Sequence, residues 1–408
     1  MNGRSSSPRA EATVEHVHGS DIVVLCAANM WHGLRYADQQ LALHLAAHRP
    51  VLYVDPPMSW LTAGRDPSVR SVLREPRLRA VAPGITRLTP VVLPGPERPG
   101  MCHVTSALVR RGIRRAVNKL RAPVHAVIAT SPFLDVFGSC DEHVRIFWAQ
   151  DDLAGGADLL GLDPQRIRAG ERRRAASADV IVASTPGVMA TWETEGYEPE
   201  FIPYGSDVAH YECVGDAAPA SDVGLEPPIT GFVGVIGARI DFEMLEAVAS
   251  SGHSLLLIGP THRSLSNELL RRLLTHENVR WLGAKTYDEL PSYLRVIDVG
   301  IVPYTDSPFN RGSFPLKTLE YLSAGKAVVA TDLPAIRWLD SDLVAVSSQP
   351  SEFAAAVDTA LREPSTPELI AQRRAFARNH SWDRRAIEFD RVITSRRTER
   401  ANGERFAR

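Results

Sequence analysis

The chain has little of what most quickly classifies a protein. Its 408 residues include only four cysteines, Cys26, Cys102, Cys140 and Cys213. They are scattered, with no C-x-x-C pair and no zinc-ligand spacing. That excludes a disulfide scaffold or zinc ribbon and points to reduced thiols in a cytoplasmic protein, with no metal site. No run approaches the roughly 18 apolar residues of a membrane span, so any membrane contact is expected to be peripheral. The polar stretch 1–20 has no apolar segment of the signal-peptide kind. Net charge is only −2, which argues against a general nucleic-acid binder. The hydrolase G-x-S-x-G elbow, the Walker loop and H-E-x-x-H are also absent. What is present is ordinary globular composition, 44% hydrophobic and 23% charged. The length suggests about two domains.

Read in order, residues 1–20 are expected to be a disordered tail. Strands are expected over 21–26, 50–55, 78–81, 85–93, 124–129, 144–148, 179–183 and 200–203. Helices are expected over 35–47, 104–120, 164–178 and 186–195. Gly, Ala, Pro and Asp then dominate 204–228, the composition of a linker. Alternation restarts with strands 230–235, 254–258, 278–282, 298–302, 327–330 and 343–346. The helices between and after them are 241–249, 265–274, 287–295, one opening at Pro315, 352–361 and a region from 368 to 393. The end, 396–408, is charged and expected to be disordered. The fold class is α/β, with two doubly wound parallel-sheet domains. The boundaries are a first domain over 21–205, a linker over 206–228 and a second domain over 229–382. A terminal helix from 383, crossing back to the first domain, precedes the tail to 408. Ligands of such sheets bind beyond the carboxyl ends of the strands, which two facing domains would turn into a cleft.

The stretch Ser313–Thr331 reads as loop, helix, glycine stop and buried strand. Leu316, Leu319 and Leu322 recur at helical spacing, and Gly325 suits the C-terminal cap. Lys317 and Glu320, three apart, share a face of the first turn. The helix end offers free N–H groups to a phosphate, and the carboxylate a turn later suits sugar hydroxyls. A surface ion pair on an ordinary crossover is the plain alternative. Upstream, Arg311, Gly312 and Ser313 close a long polar loop and can meet phosphate oxygens.

Gly231-Phe-Val-Gly234-Val-Ile-Gly237-Ala-Arg239 opens the second domain, where Gly234 and Arg239 suit close approach of a phosphate. The spacing is G-x-x-G-x-x-G, and the next strand ends in Gly259-Pro260 without a ribose acid, so a dinucleotide enzyme is disfavoured. A tight turn needing small residues is the alternative. Gly283 and Lys285 end a later strand, where they can face a base or form a plain turn. In the first domain Gln150-Asp151-Asp152 follows a strand, and paired carboxylates there can act as a base or take sugar hydroxyls. An N-cap or solvated turn explains them equally well. His32, Gly33 and Arg35 follow the first strand at the same end of the sheet. The basic helix with Arg110, Arg111, Arg114, Arg115 and Lys119 is either a solvated face or a contact with an anionic membrane over 110–121.

Several of these runs together resemble a known family. They are Asn278-Val-x-x-Leu-Gly283, Tyr287-x-Glu289-Leu-Pro291, Asp298-Val-x-Ile-x-Pro303 and Pro315-x-Lys317-x-x-Glu320-Tyr-Leu-x-Ala-Gly325-Lys-x-Val-Val. Looser matches are Val51-Leu-Tyr-Val-Asp55-Pro-Pro and Ile202-Pro-Tyr-Gly-Ser-Asp207. The sequence is similar to glycosyltransferase family 4, of GT-B fold, nearest its bacterial teichuronic-acid biosynthesis subgroup.

That resemblance implies transfer of a sugar from a nucleotide-diphosphate sugar to a saccharide, lipid-linked or small-molecule acceptor. Retention of configuration is implied, as is the absence of any metal or other cofactor. The second glutamate of the family's E-x7-E pattern, which binds the donor ribose, falls at Glu320. The first falls at Gly312 and is missing. Arg239, with Lys317, stands for the family's phosphate-binding pair. The family's first-domain histidine near the anomeric carbon corresponds to Gln150-Asp151-Asp152, which makes Asp151 and Asp152 the catalytic candidates. The location implied is the cytoplasm, at the inner membrane face if the basic helix docks. Alternatives are a Rossmann-type oxidoreductase, a nucleotide-sugar epimerase, or a non-catalytic sugar-nucleotide binding protein.

Overall fold

The computed structural model describes residues 21–59, 61, 72, 74–96, 98–262 and 265–406. The expected tail 1–20 lies outside them. The chain divides into two compact units, one of residues 1–32, 42–146 and 393–408, the other of residues 33–41 and 147–392.

The first unit is built on β1 (Ile22–Cys26), β2 (Val51–Val54), β4 (Leu78–Ala82), β5 (Ile85–Leu88) and β7 (Val124–Ala129). They lie in the order β7-β1-β2-β5-β4. A separate two-stranded pair is formed by β3 (Met58–Ser59) and β6 (Val91–Val92). The central strands read IVVLC, VLYV and VHAVIA and are buried throughout, as expected of parallel strands covered on both faces. Only β4 runs antiparallel, to β5. Helix α1 (Ala37–Leu45) links β1 to β2, and α2 (Met101–Leu120) precedes β7. At the unit's other end, Arg49 donates to the Thr394 hydroxyl (3.0 Å).

Strand β8 (Val144–Ala149) carries the chain into the second unit. There follow α3 (Ala157–Leu160), α4 (Pro164–Ser177), β9 (Val180–Ala183), α5 (Pro186–Thr194), β10 (Glu200–Phe201) and α6 (Val208–Glu212). Next come β11 (Ile229–Val233), α7 (Phe242–Ser250), β12 (Ser254–Ile258), α8 (Asn267–Leu273), β13 (Val279–Trp281), α9 (Leu290–Val296) and β14 (Val299–Val302). The last elements are α10 (Pro308–Arg311), α11 (Leu316–Ser323), β15 (Ala327–Ala330), α12 (Pro334–Leu339), β16 (Val344–Val346), α13 (Pro350–Arg362), α14 (Pro367–Asn379) and α15 (Trp382–Phe406). The second sheet is wholly parallel, in the order β13-β12-β11-β14-β15-β16. The order reverses between β11 and β14, and a crevice for a ligand opens at the carboxyl ends of such a pair.

Apolar periodicity says little about short, capped turns, and these are where structure and expectation part. Asp207 caps α6 inside the expected linker by accepting from the His210 N–H. Ser307 caps α10 inside the long polar loop. The region expected as one helix from 368 to 393 is broken at His380 and Ser381, and its second half continues to Phe406 rather than stopping before a tail. Ser206, at the start of the expected linker, is hydrogen-bonded to α11 and to the segment before α15. Ser206 exchanges backbone hydrogen bonds with His380 and Trp382 (2.8 and 3.0 Å), and its hydroxyl accepts from Ser323 of α11 (2.8 Å).

Candidate functional site

The site of interest is built at the β11–β14 end of the second sheet. Its foundation is the seating of α11. Gly300 on β14 has no side chain because the Tyr321 ring lies in that space. The Val233 N–H at the end of β11 donates to the Tyr321 hydroxyl (2.8 Å). This fixes the helix and its first turn on the two switch-point strands. Pro315 precedes the helix, and Gly325, at φ 78°, ends it in the left-handed conformation that favours glycine.

Lys317 and Glu320 form an ion pair on that first turn, both side chains half-buried. Glu320 faces an aromatic group. Burial first, then the Glu320 charge, pushes the Tyr211 hydroxyl well above its ordinary pKa. Tyr287 is raised by burial, Asp207 and Glu320 in turn. Its ring stacks on His210 with centroids 3.9 Å apart, and its hydroxyl donates to Asp207 (2.9 Å). The Arg35 guanidinium lies 5.1 Å from the Tyr287 centroid. Arg35 and Gly33 therefore belong to this unit. His32 belongs to the other, where its Nε2 is 3.4 Å from Glu75.

The turn after β11 explains its glycines sterically. A Cβ on Gly259, at φ +138°, would collide with the Gly234 carbonyl, and a Cβ on Gly234 would come within 2.9 Å of the Phe232 ring. Arg239 follows. Its Nε donates to Asn310 Oδ1 (2.8 Å), and the Asn310 amide donates back to the Arg239 carbonyl (3.0 Å) and to the Thr305 carbonyl (2.9 Å). The guanidinium lies over the Tyr304 and Phe309 rings, 5.0 and 4.7 Å from their centroids. Arg239 is thus held by a neutral amide and two rings, in no direct ion pair among the described residues, and its charge reaches the Asp151 carboxylate while remaining able to meet an anion. Arg311 is spent differently: it forms a two-pronged ion pair with Asp306 (2.5 and 2.6 Å) on the surface. Lys285 is likewise bound to Asp222 (2.7 Å), and Gly283 accepts from the Gly259 N–H (2.8 Å).

The two adjacent aspartates after β8 separate. Asp152 turns to Arg168 of α4 (2.8 Å) and to the Gly155 N–H (2.9 Å). Its own N–H donates to the Gly312 carbonyl (3.2 Å), which also accepts from the Thr185 hydroxyl (3.1 Å). Asp151 faces the other way. Burial raises its pKa, against the Arg239 charge and the nearby Ser313 and Tyr204 hydroxyls; the Ser313 hydroxyl itself donates to the Phe309 carbonyl (2.8 Å). The Tyr204 hydroxyl lies 3.5 Å from its Oδ2. The neighbouring Gln150 amide donates to Asp38 (2.7 Å). The structure thus brings Asp151, Arg239 and Ser313 to one corner. Sequence reasoning missed Asn310, Tyr204 and the Tyr287–His210 stack. The only signal for the first two was position, in a polar loop and at the edge of an apparent linker.

Residues 229–363 match the family described as Glycosyl transferases group 1. This segment is a glycosyl transferases group 1 domain. The group 1 domain contains the whole six-stranded sheet, Arg239, Lys317 and Glu320. A relative is TuaH of Bacillus subtilis (strain 168), assigned as a teichuronic acid biosynthesis glycosyltransferase. It is 35% identical over 167 residues, which are 39% of this chain and 41% of TuaH. The chain therefore spans about two fifths of that relative's length. Among solved structures, sucrose-phosphate synthase from Thermosynechococcus elongatus superposes with a TM-score of 0.69 at 15% identity, over 92% of this chain and 99% of that one. Anabaena Alr3699/HepE, solved in complex with UDP and glucose, gives 0.65 at 15% identity, over 92% and 100%. The fold is that of the GT-B glycosyltransferases, with two Rossmann-like sheets.

Proposed function

We propose that the protein is a glycosyltransferase that moves a sugar from a nucleotide-diphosphate sugar to a saccharide, lipid-linked or small-molecule acceptor, with retention. The observation that carries the reading is the group 1 domain whose switch-point helix holds Lys317 and Glu320, with Arg239, in no direct ion pair among the described residues, on the turn after β11. In this reading Glu320 accepts from the ribose hydroxyls, and Lys317 leaves Glu320 to meet the diphosphate. Arg239 stabilises the negative charge that grows on the leaving diphosphate. Beyond donor and acceptor the reading calls for no cofactor. An oxidoreductase or epimerase is less well supported, since the turn after β11 lacks the dinucleotide glycine spacing and β12 ends without a ribose acid.

We further propose peripheral contact with a membrane, which rests on α2. Arg110, Arg111 and Arg114 line a cavity of about 570 Å³ with His103 and Asp135, while Val104 and Leu108 are exposed on the same helix. Cations beside exposed apolar groups suit an anionic bilayer at the cytoplasmic face. Among the described residues no helix is long and apolar enough to cross a membrane. Thermal-shift titration with a panel of nucleoside diphosphates and their sugars tests the donor reading: a ligand selective for the folded state raises Tm. Stabilisation by NAD and by no nucleoside diphosphate overturns it.

A further inference from the structure

Position 312 has no carboxylate for a steric reason. A Cβ there would collide with the Cβ of Asp152. Gly187 is also close, since its Cβ would lie 3.0 Å from the Arg311 carbonyl and 3.3 Å from the Gly312 Cα. The backbone of 311–312 is therefore clamped between α5 and the loop after β8, and no side chain fits. The clamp also places a carboxylate one residue away. Asp152 hydrogen-bonds to Gly312, and the adjacent Asp151 faces the Tyr204 hydroxyl at 3.5 Å.

We propose that Asp151 supplies the carboxylate that receives hydroxyls of the donor's sugar, so that recognition is delivered from the loop after β8 and not from position 312. The inference rests on the nucleotide-sugar reading above. Asp152 is fully used in holding the loop, through Arg168, the Gly155 N–H and Gly312. Asp151 is half-buried and makes no ion pair within 4.0 Å among the described residues. Its neighbours are the hydroxyls of Ser313 and Tyr204, with Arg239 supplying positive potential. A carboxylate has two oxygens and about four acceptor positions. The Tyr204 hydroxyl, 3.5 Å away, uses one of them, which leaves room for a pair of adjacent sugar hydroxyls, the ligand class this corner suits. Burial raises the Asp151 pKa on balance, and the Arg239 charge opposes that rise in favour of the ionised, acceptor-only form that such a contact needs.

The test compares, on the full chain, the affinity for the nucleoside diphosphate with that for the matching nucleotide-sugar. In the wild type the sugar adds to affinity. Asp151→Asn is expected to bind the diphosphate within about twofold of wild type, and to lose about tenfold in the sugar's increment. Asp151→Glu, which keeps the charge but moves it by one methylene, is expected to bind the diphosphate normally and to change which sugar is preferred. A structural role would lower both affinities together. Retention of the sugar increment and sugar preference in both variants overturns the inference while leaving the donor reading intact. Failure of the wild type to bind any nucleoside diphosphate overturns both.

Discussion

The loop after β13 and the loops after β11 and β14 carry the same kind of residue, a cation near a strand end, and use it in opposite ways. After β13, Lys285 meets Asp222 at 2.7 Å and lies over the Tyr293 ring at 4.7 Å. Hydrogen bonding to Asp222 raises its pKa further. After β11, Arg239 has a neutral amide and two aromatic faces as partners. A carboxylate partner cancels a cation's field, whereas an amide orients it and leaves the field in place. Arg311 follows the pattern of Lys285 through Asp306. Partner chemistry therefore distinguishes these cations better than position does.

Four experiments break or sharpen this contrast, in falling order of effect. Glu320→Ala removes the carboxylate that faces the Tyr211–Tyr287 group and is expected to raise the donor KM about 10- to 100-fold. Unchanged donor affinity would remove Glu320 from the site. Arg239→Met is expected to weaken nucleoside-diphosphate binding about tenfold, while Arg311→Met and Lys285→Met, measured by the same titration, stay within about twofold. Equal losses in all three would end the distinction.

Gly312→Ala probes the clamp instead of the charges. Forcing a methyl against Asp152 is expected to cost about 1–3 kcal/mol, read as a Tm lowered by several degrees. An unchanged Tm would mean that the loop yields. The smallest effect concerns Glu171, which Arg168 bridges to Asp152. Burial, with the Asp152 and Glu195 charges adding, raises its pKa to about 7 against the opposing Arg168. The folded protein then keeps a proton that the unfolded chain, with a carboxyl pKa of about 4.3, releases. Stability from this group is present below that value and is lost as pH rises toward 7. Glu171→Gln is expected to match the wild-type Tm at pH 5 and exceed it at pH 8. A difference of the opposite sign would contradict the assigned burial effect.

The strands and long helices were legible because burial repeats at fixed periods. Ser254–Ile258 and Ala327–Ala330 emerge with the expected bounds, and the glycine stop after α11 sits at Gly325. The candidate site was legible only as residue types at strand ends. Asp151 and Asp152 look equivalent in the sequence, and their separation depends on Arg168, sixteen residues later, and on Gly312 and Ser313, far along the chain. Asn310 looked like one more polar loop residue until its amide was seen bridging Arg239 and Thr305.

By itself the sequence determined the α/β alternation and the Lys317–Glu320 pair, because local spacing alone sets the faces of a helix and the runs of a buried strand. It also determined that no carboxylate stands at position 312. Tertiary structure alone decided why: Asp152 fills that space, and packing between distant segments leaves no periodic trace. It likewise decided which cations remain available, because a charge is matched or left open by whatever side chain the fold brings within a few ångströms.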